Sequence, residues 1–144
     1  MRRGKEIAQG SHASMEFLAS QIRQRLNENA NICLDLDSDE TAWLSKGMAK
    51  VCLQVNSEEE LLDYHESALR HGLKSFLITD SGRTEFGGTP TPTACAIGPA
   101  RVGQVGAVTG NLPCISHNPA TWPGLWHCCP VSLLPAIPPG HFRQ

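Results

Sequence analysis

Hydrophobic residues recur every three or four positions over the first part of the chain, and this spacing predicts a helix from about Arg3 to Leu26. The positions expected to face the core are Ile7, Ser11, Met15, Leu18, Ile22 and Leu26. A second line, well over a quarter-turn away, carries Lys5, Gln9 and His12 near the helix N-terminus. Amide groups and the dipole favour an anion there, but a solvated polar face would give the same spacing.

The residues that follow alternate between helical and strand patterns. The predicted elements are a short helix at 38–44 with Ser38 as its cap, a strand at 51–55, a helix from the capping box 57–60 to Gly72, strands at 75–79 and 93–97, and a weak helix at 100–108. Helices that alternate with strands indicate a layered α/β domain. A chain of 144 residues is long enough to bury its own core.

The composition changes after Leu112, which predicts a boundary between a domain at 1–112 and a tail at 113–144. The tail holds seven prolines and two tryptophans, and its only charged side chain is Arg143. Because proline is incompatible with a regular helix or a central strand, we expect an irregular, Pro-rich tail. Its histidines and cysteines lack zinc-finger spacing, so we expect no metal site among His117, His127, Cys128, Cys129 and His141.

Charge and cysteine content narrow the functional classes. A net charge of −2 excludes the strong basic field of a dedicated nucleic-acid coat protein. Residues 1–25 nevertheless hold five basic side chains against two acidic ones, which suits a phosphate-bearing partner or a solvated helix face equally. We expect Cys33, Cys52 and Cys95 to be buried free thiols in a reducing cytoplasm. No signal peptide and no apolar run of membrane-spanning length is visible.

Two sequence motifs point to a known family. The segment Gly4–Ala13 reads GKEIAQGSHA, and Asp80–Thr84 reads DSGRT and is followed by TPTACAIGP at Thr91–Pro99. In this order and separation they resemble the peptidyl-tRNA hydrolases of the second, archaeal and eukaryotic type, which also has bacterial members. The resemblance runs from residue 1 to about Leu112. It implies a three-layer α/β/α domain around a small mixed sheet, and cofactor-free, metal-independent hydrolysis of the ester that joins a peptide or N-blocked amino acid to tRNA.

The resemblance implies that Lys5, Asp80, Thr84 and Thr93 are the catalytic residues. Ester hydrolysis needs an activated water, stabilisation of the oxyanion and protonation of the departing ribose oxygen. Asp80 could hold or deprotonate the water, and Lys5 could stabilise the oxyanion or a nearby phosphate. The two threonines could orient the water or donate to the carbonyl oxygen. Taken without the family, Asp-Ser-Gly is also a common turn in which the aspartate caps the local backbone.

The same resemblance suggests how tRNA is bound. We expect contacts to tRNA from Arg2, Arg3, Gln9, His12 and Arg83. Phosphate contacts dominate nucleic-acid affinity, and the arginines are suited to them. His12 could instead pack as a neutral histidine.

The chain departs from the family pattern at both ends. Members begin with an apolar strand and a short basic loop that are absent here, and Pro113 interrupts their closing strand. Loss of the first strand would expose a sheet edge, through which the protein could form a homodimer. Two alternatives to an active hydrolase therefore stay open: a catalytically silent domain that binds tRNA or a protein, and an unstable fragment.

Overall fold

The computed structural model describes residues 3–83, 86–115 and 131–135; Arg3 and residues 131–135 are described by their backbone alone. Its elements are α1 (Arg3–Asn27), α2 (Ser38–Ser45), β1 (Val51–Val55), α3 (Glu58–Arg70), β2 (Ser75–Asp80), β3 (Thr91–Ile97), α4 (Val102–Thr109) and β4 (Val131–Pro135). Every element predicted before residue 110 is confirmed, with ends that differ by a few residues. No helix in the described part of the chain is both long and apolar enough to cross a membrane.

The four strands form one mixed sheet in the order β1-β4-β3-β2. β1 pairs with β4 in parallel, whereas β3 is antiparallel to both β4 and β2. Residues 113–115 continue the sheet beyond β1 through an antiparallel bridge between Leu53 and Cys114. The predicted α/β class with a small mixed sheet is confirmed. The number of layers and the absence of the family's first strand stay predictions.

The strand β4 corrects the expectation for the tail. It lies in the middle of the sheet, so the prediction that the proline-rich segment holds no central strand is wrong for residues 131–135. Pro130 and Pro135 bracket four residues without proline, and Pro135 is the last residue of the strand. The missing amide proton of proline therefore falls at the strand end. Residues 116–130 and 136–144, with the five metal candidates, lie outside the described residues.

The core divides between the two faces of β3. Cys95 and Ile97 belong to a large cluster with residues of β1, α3 and α4, among them the fully buried Leu61. The alternate residues Ala94 and Ala96 belong to a second cluster with Ala13 of α1. Because successive side chains of a strand point to opposite faces, Ala13 of α1 meets one face of β3, and the residues of the large cluster meet the other.

The buried face of α1 is not the predicted one. The buried residues are Gln9, Ala13, Ser14 and Phe17, whereas Ile7 is 69% exposed and Leu26 is 58% exposed. The reason is the sheet surface below the helix, which presents Ala94 and Ala96. Small side chains on both surfaces allow a close approach, and Ala13 is the residue of α1 that packs against these alanines.

The N-terminal caps of α2 and α3 also differ in part from the predicted ones. Asp37, not Ser38, caps α2: its side chain accepts from the backbone amides of Asp39 and Glu40, and the Glu40 carboxylate accepts from the Asp37 amide. Ser57 caps α3 as predicted, by accepting from the Glu60 amide. The Glu60 carboxylate accepts from the Asn56 amide instead of completing a box with Ser57.

The prediction that three cysteines are buried is correct only in part. Cys95 is fully buried, and burial raises the pKa of its thiol to about 12. Cys33 and Cys52 are exposed, contrary to expectation. Cys52 alternates with the buried Leu53 on β1 and therefore faces away from the main core, and Cys33 lies in the loop after α1.

Candidate active site

Lys5 and Asp80 meet although 75 residues separate them in the sequence. Lys5 stands in the first turns of α1, and Asp80 is the last residue of β2, the strand at the edge of the sheet. The Lys5 Nζ atom donates to Asp80 Oδ1 at 3.1 Å, and the two side chains are only 13% and 16% exposed. The packing of α1 on the sheet therefore brings the two principal candidates of the sequence into one ion pair.

Among the described residues, three groups donate a hydrogen bond to the Asp80 carboxylate. Oδ1 accepts from the Gly82 backbone amide at 2.8 Å and from Lys5, and Oδ2 accepts from Gln9 Nε2 at 2.8 Å. The Gly82 amide and then the Lys5 ammonium lower the pKa of Asp80 below its ordinary value of 3.8. Asp80 thus caps the local turn, as the turn interpretation predicts, and also binds Lys5; its catalytic role stays a prediction.

Gly82 is required at this turn for two reasons. Its φ is +76°, in the left-handed region that favours glycine. A Cβ atom there would lie 2.1 Å from the Thr89 carbonyl oxygen, because the loop folds back against this residue. The Gly82 carbonyl accepts from the amides of Phe86 and Gly88, which holds the loop in that form.

Phe86 is a site residue that the sequence did not reveal. The loop brings its ring over Lys5, with Nζ 4.9 Å from the ring centroid. A cation over an aromatic face is attracted by the ring quadrupole, so the ring helps to fix the ammonium. The one available signal was an aromatic residue shortly after the DSGRT motif, and that alone does not predict which way the loop closes.

Gln9 lies deeper than an expected tRNA contact. It is 7% exposed, and its Nε2 donates to Asp80. Its Oε1 atom is enclosed and accepts no hydrogen bond from the residues that the structure describes. The helix thus adds an amide to the Lys5–Asp80 pair from one turn further along α1.

A cleft of about 400 Å³ adjoins this group. It lies between α1 and the edge strand β2, and its lining consists of Gln9, His12, Glu16, Leu77, Ile78, Thr79, Asp80 and Ser81. His12 is exposed in this lining and Arg83 is exposed in the loop that follows it. Both side chains are therefore open to solvent.

The remaining predicted site residues do not lie in the described lining of the cleft. Thr93 is fully buried at a bulge in β3, beside the register shift between Ile78 and Thr79, and its hydroxyl donates to the Ile78 carbonyl oxygen at 3.3 Å. Thr84 and Arg2 lie outside the described residues, and the Arg3 side chain is likewise outside them. Among the described side chains, no three His, Cys, Asp or Glu residues are grouped as metal ligands would be.

A comparison with protein families shows which family the chain belongs to. The family model described as peptidyl-tRNA hydrolase PTH2 matches residues 1–115. The chain belongs to the PTH2 family. Lys5, Gln9, Asp80 and Phe86 all lie within the range that matches the PTH2 model, whereas β4 lies beyond it.

Individual relatives agree with the PTH2 assignment. A peptidyl-tRNA hydrolase of Methanopyrus kandleri is 40% identical over 114 residues, which cover 78% of this chain and 86% of that protein. Its namesake in Methanocaldococcus jannaschii is 40% identical over 113 residues, with 78% and 87% coverage. A probable peptidyl-tRNA hydrolase 2 of Dictyostelium discoideum is 37% identical over 112 residues, which cover 78% of this chain and 48% of that protein.

Proposed function

We propose that this PTH2-family protein hydrolyses the ester bond of peptidyl-tRNA or N-acyl-aminoacyl-tRNA and thereby releases free tRNA for reuse in translation. Membership of the family and the names of its relatives support this activity. The observation that carries the proposal is the partly buried Lys5–Asp80 pair at the end of a cleft. A cation held at a fixed point beside a cleft is suited to the charge that develops on an ester carbonyl oxygen.

In this proposal Lys5 is the electrophilic group. Water attacks the ester carbonyl carbon and the carbonyl oxygen gains negative charge. The bond to the ribose oxygen then breaks, and this oxygen takes up the proton that the attacking water loses. The Lys5 ammonium is held by Asp80 Oδ1 on one side and lies over the Phe86 ring, so little reorganisation is needed when the charge develops. Thr84 is proposed to orient the attacking water.

Asp80 is better suited to positioning than to proton abstraction. Its carboxylate already accepts hydrogen bonds from Lys5, Gln9 and the Gly82 amide, and its lowered pKa makes it a weak base at neutral pH. We assign it the task of holding the Lys5 ammonium and the Gln9 amide in place. Thr93 supports the same strand end, since its hydroxyl binds the backbone of Ile78 two residues before Asp80.

The tRNA moiety is proposed to lie across the basic residues near this site. Arg83 is exposed in the loop after β2, Arg3 is the first residue of α1, and Arg2 precedes it in the sequence. Such side chains bind phosphates without reading sequence, which suits an enzyme that must accept many tRNAs. We place the activity in the cytoplasm, where translation supplies the substrate. The homodimer stays a prediction.

The direct test is hydrolysis of N-acetyl-aminoacyl-tRNA by the purified protein in the presence of EDTA. Lys5→Met and Asp80→Asn should each lower kcat/KM by about a hundredfold or more, since each removes part of a preorganised charge. The exposed Lys46 and Asp63 provide matched controls, and Lys46→Met and Asp63→Asn should hydrolyse at the wild-type rate.

Two outcomes would contradict the proposal. Folded Lys5→Met and Asp80→Asn variants with full activity would remove the pair from catalysis. A folded wild-type protein that binds the substrate and does not hydrolyse it would identify the chain as a silent binding domain.

A further inference from the structure

We propose that Gln9 selects the substrate by accepting a hydrogen bond from the amide N–H of the blocked amino acid. This inference deepens the proposed hydrolase function and rests on it. Its starting point is an anomaly: Gln9 is only 7% exposed, yet among the described residues nothing donates to its Oε1 atom. Buried polar atoms normally have partners, and an unpartnered acceptor beside a reacting centre indicates that the substrate supplies the donor.

The orientation of the Gln9 amide is fixed by its neighbour. The Asp80 carboxylate can only accept hydrogen bonds, so the amide must turn its Nε2 atom towards Oδ2, at 2.8 Å. The opposite orientation would place two oxygen atoms against each other. Oε1 is therefore held as an acceptor on the side away from Asp80. It is covered in this structure, so the substrate N–H can meet it only when binding displaces the atoms that cover it.

The position of this acceptor matches one part of the substrate. Lys5 and Gln9 lie one helical turn apart and bind the two oxygens of the same carboxylate. When the ester carbonyl oxygen is beside the Lys5 ammonium, the α-nitrogen of the amino acid is only two bonds from the carbonyl carbon. Its donor therefore falls in the region of Gln9, which also lines the cleft.

The charges favour a neutral donor at that point. A blocked amino acid presents one uncharged amide N–H, which satisfies Oε1. A free aminoacyl ester presents an α-ammonium group, which would be brought close to the Lys5 ammonium and repelled. Because Asp80 is already paired with Lys5, it offers little compensation to a second cation. Gln9 and Lys5 together would thus distinguish N-blocked from free aminoacyl-tRNA.

The test replaces the N–H group without changing the shape of the substrate. One ligand carries N-acetylalanine and the other O-acetyl-lactate, which has an oxygen where the first has N–H. Each is attached to the tRNA end as an ester for kcat/KM and through a non-hydrolysable 3′-amide for Kd. The wild-type protein should prefer the N–H ligand by roughly tenfold in both measurements, as a lost hydrogen bond to a buried acceptor predicts.

The variants isolate the contribution of Gln9. Gln9→Met removes the acceptor, so the preference should fall to about one, whereas the matched Gln24→Met variant on the exposed side of the same helix should keep it. Gln9→Asn shortens the side chain by one methylene, which moves the acceptor away from the substrate, so it should also reduce the preference. This variant provides the test if Gln9→Met is too unstable to assay. A role in holding Asp80 alone would lower activity towards both ligands and leave their ratio unchanged.

The results separate this inference from the hydrolase proposal. Equal Kd values for the two ligands in the wild type, or a preference that survives in folded Gln9→Met, would overturn the inference even if the ester is hydrolysed. A preference in Kd that is lost in Gln9→Met, without hydrolysis of either ester, would support the inference and overturn the activity. Failure to bind either ligand would overturn both.

Discussion

One oxygen of the Asp80 carboxylate has two roles: it caps a turn and it binds the Lys5 ammonium. The Gly82 amide fixes Oδ1, and Gln9 fixes Oδ2 from the other side. A carboxylate held in this way stays ionised and has little freedom to move. Its value to the site is the fixed position it gives to the ammonium, which fits electrostatic catalysis better than general base catalysis.

This assignment predicts the pH dependence of the reaction. The pKa of Asp80 is lowered below 3.8, so its ionised form and the ion pair persist until the pH falls through that depressed value. The kcat/KM should therefore show no acid limb due to Asp80 between about pH 5 and pH 8. A pH–rate profile with an acid limb in that range that disappears in Asp80→Asn would restore Asp80 as the general base.

Gly82 offers a second test at the residue scale. Gly82→Ala combines an unfavourable positive φ with a Cβ atom only 2.1 Å from the Thr89 oxygen, so the loop must move. Because small displacements of catalytic groups are costly, we expect kcat/KM to fall by about a hundredfold. Gly88 is the matched control, with φ +86° and nothing within 4 Å of its Cβ position.

The two variants are to be compared by hydrolysis and by thermal melting. Gly88→Ala reports the cost of the backbone conformation alone, and Gly82→Ala adds the collision. If both retain the same activity, the closed form of the loop is not needed for the reaction.

From the sequence, the only residues of the candidate site that could be predicted were those that stand in a recognisable motif. Lys5 and Asp80 stand in two motifs that resemble one family, and their meeting is what that resemblance implied. Phe86 and the unpartnered Gln9 oxygen depend on how a loop closes and how deep a helix sits. Neither property has a local sequence signal, so the structure was needed to find them.

At the scale of an element, α1 shows why hydrophobic periodicity can choose the wrong face. The helix has one stripe of large apolar residues and a second line, formed by Gln9, Ala13 and Phe17, that also repeats with helical spacing. The large stripe is more hydrophobic, so the pattern favoured it. The second line is buried instead, because Ala13 packs on Ala94 and Ala96, and small residues on both surfaces let the helix lie close to the sheet.

The packing of α1 can be tested by a pair of substitutions with opposite chemistry. Ala13→Leu adds hydrophobic surface but overfills the contact with the sheet, so it should lower the free energy of unfolding by about 1–3 kcal/mol. Ile7→Ala removes an exposed side chain and should change it by no more than about 0.5 kcal/mol. Urea unfolding measures both. The reverse ranking would favour the face that the sequence predicted.

At the scale of the whole molecule, the sheet depends on a strand that lies beyond the PTH2 match. β4 stands between β1 and β3 and is the only described strand that joins them. Its sequence, VSLLP, is too short and too close to proline to be recognised as a central strand. Its partners are distant in sequence, so no local pattern could have assigned its place.

Truncation tests this role of β4. A chain ending at residue 115 lacks the strand that connects β1 to the rest of the sheet, and should lose its cooperative melting transition. A chain ending at residue 135 keeps the strand and should melt cooperatively. Circular dichroism on heating distinguishes them. Equal melting temperatures would show that the sheet holds together without β4.

The central position of β4 also determines when the protein can fold during its own synthesis. Residues 56–130 separate the two strands that pair in parallel, so β1 leaves the ribosome long before its neighbour is made. Until then the edges of β1 and β3 that flank the central position have no partner there, and other nascent chains could pair with them. The newly made chain should therefore depend on chaperones until β4 emerges.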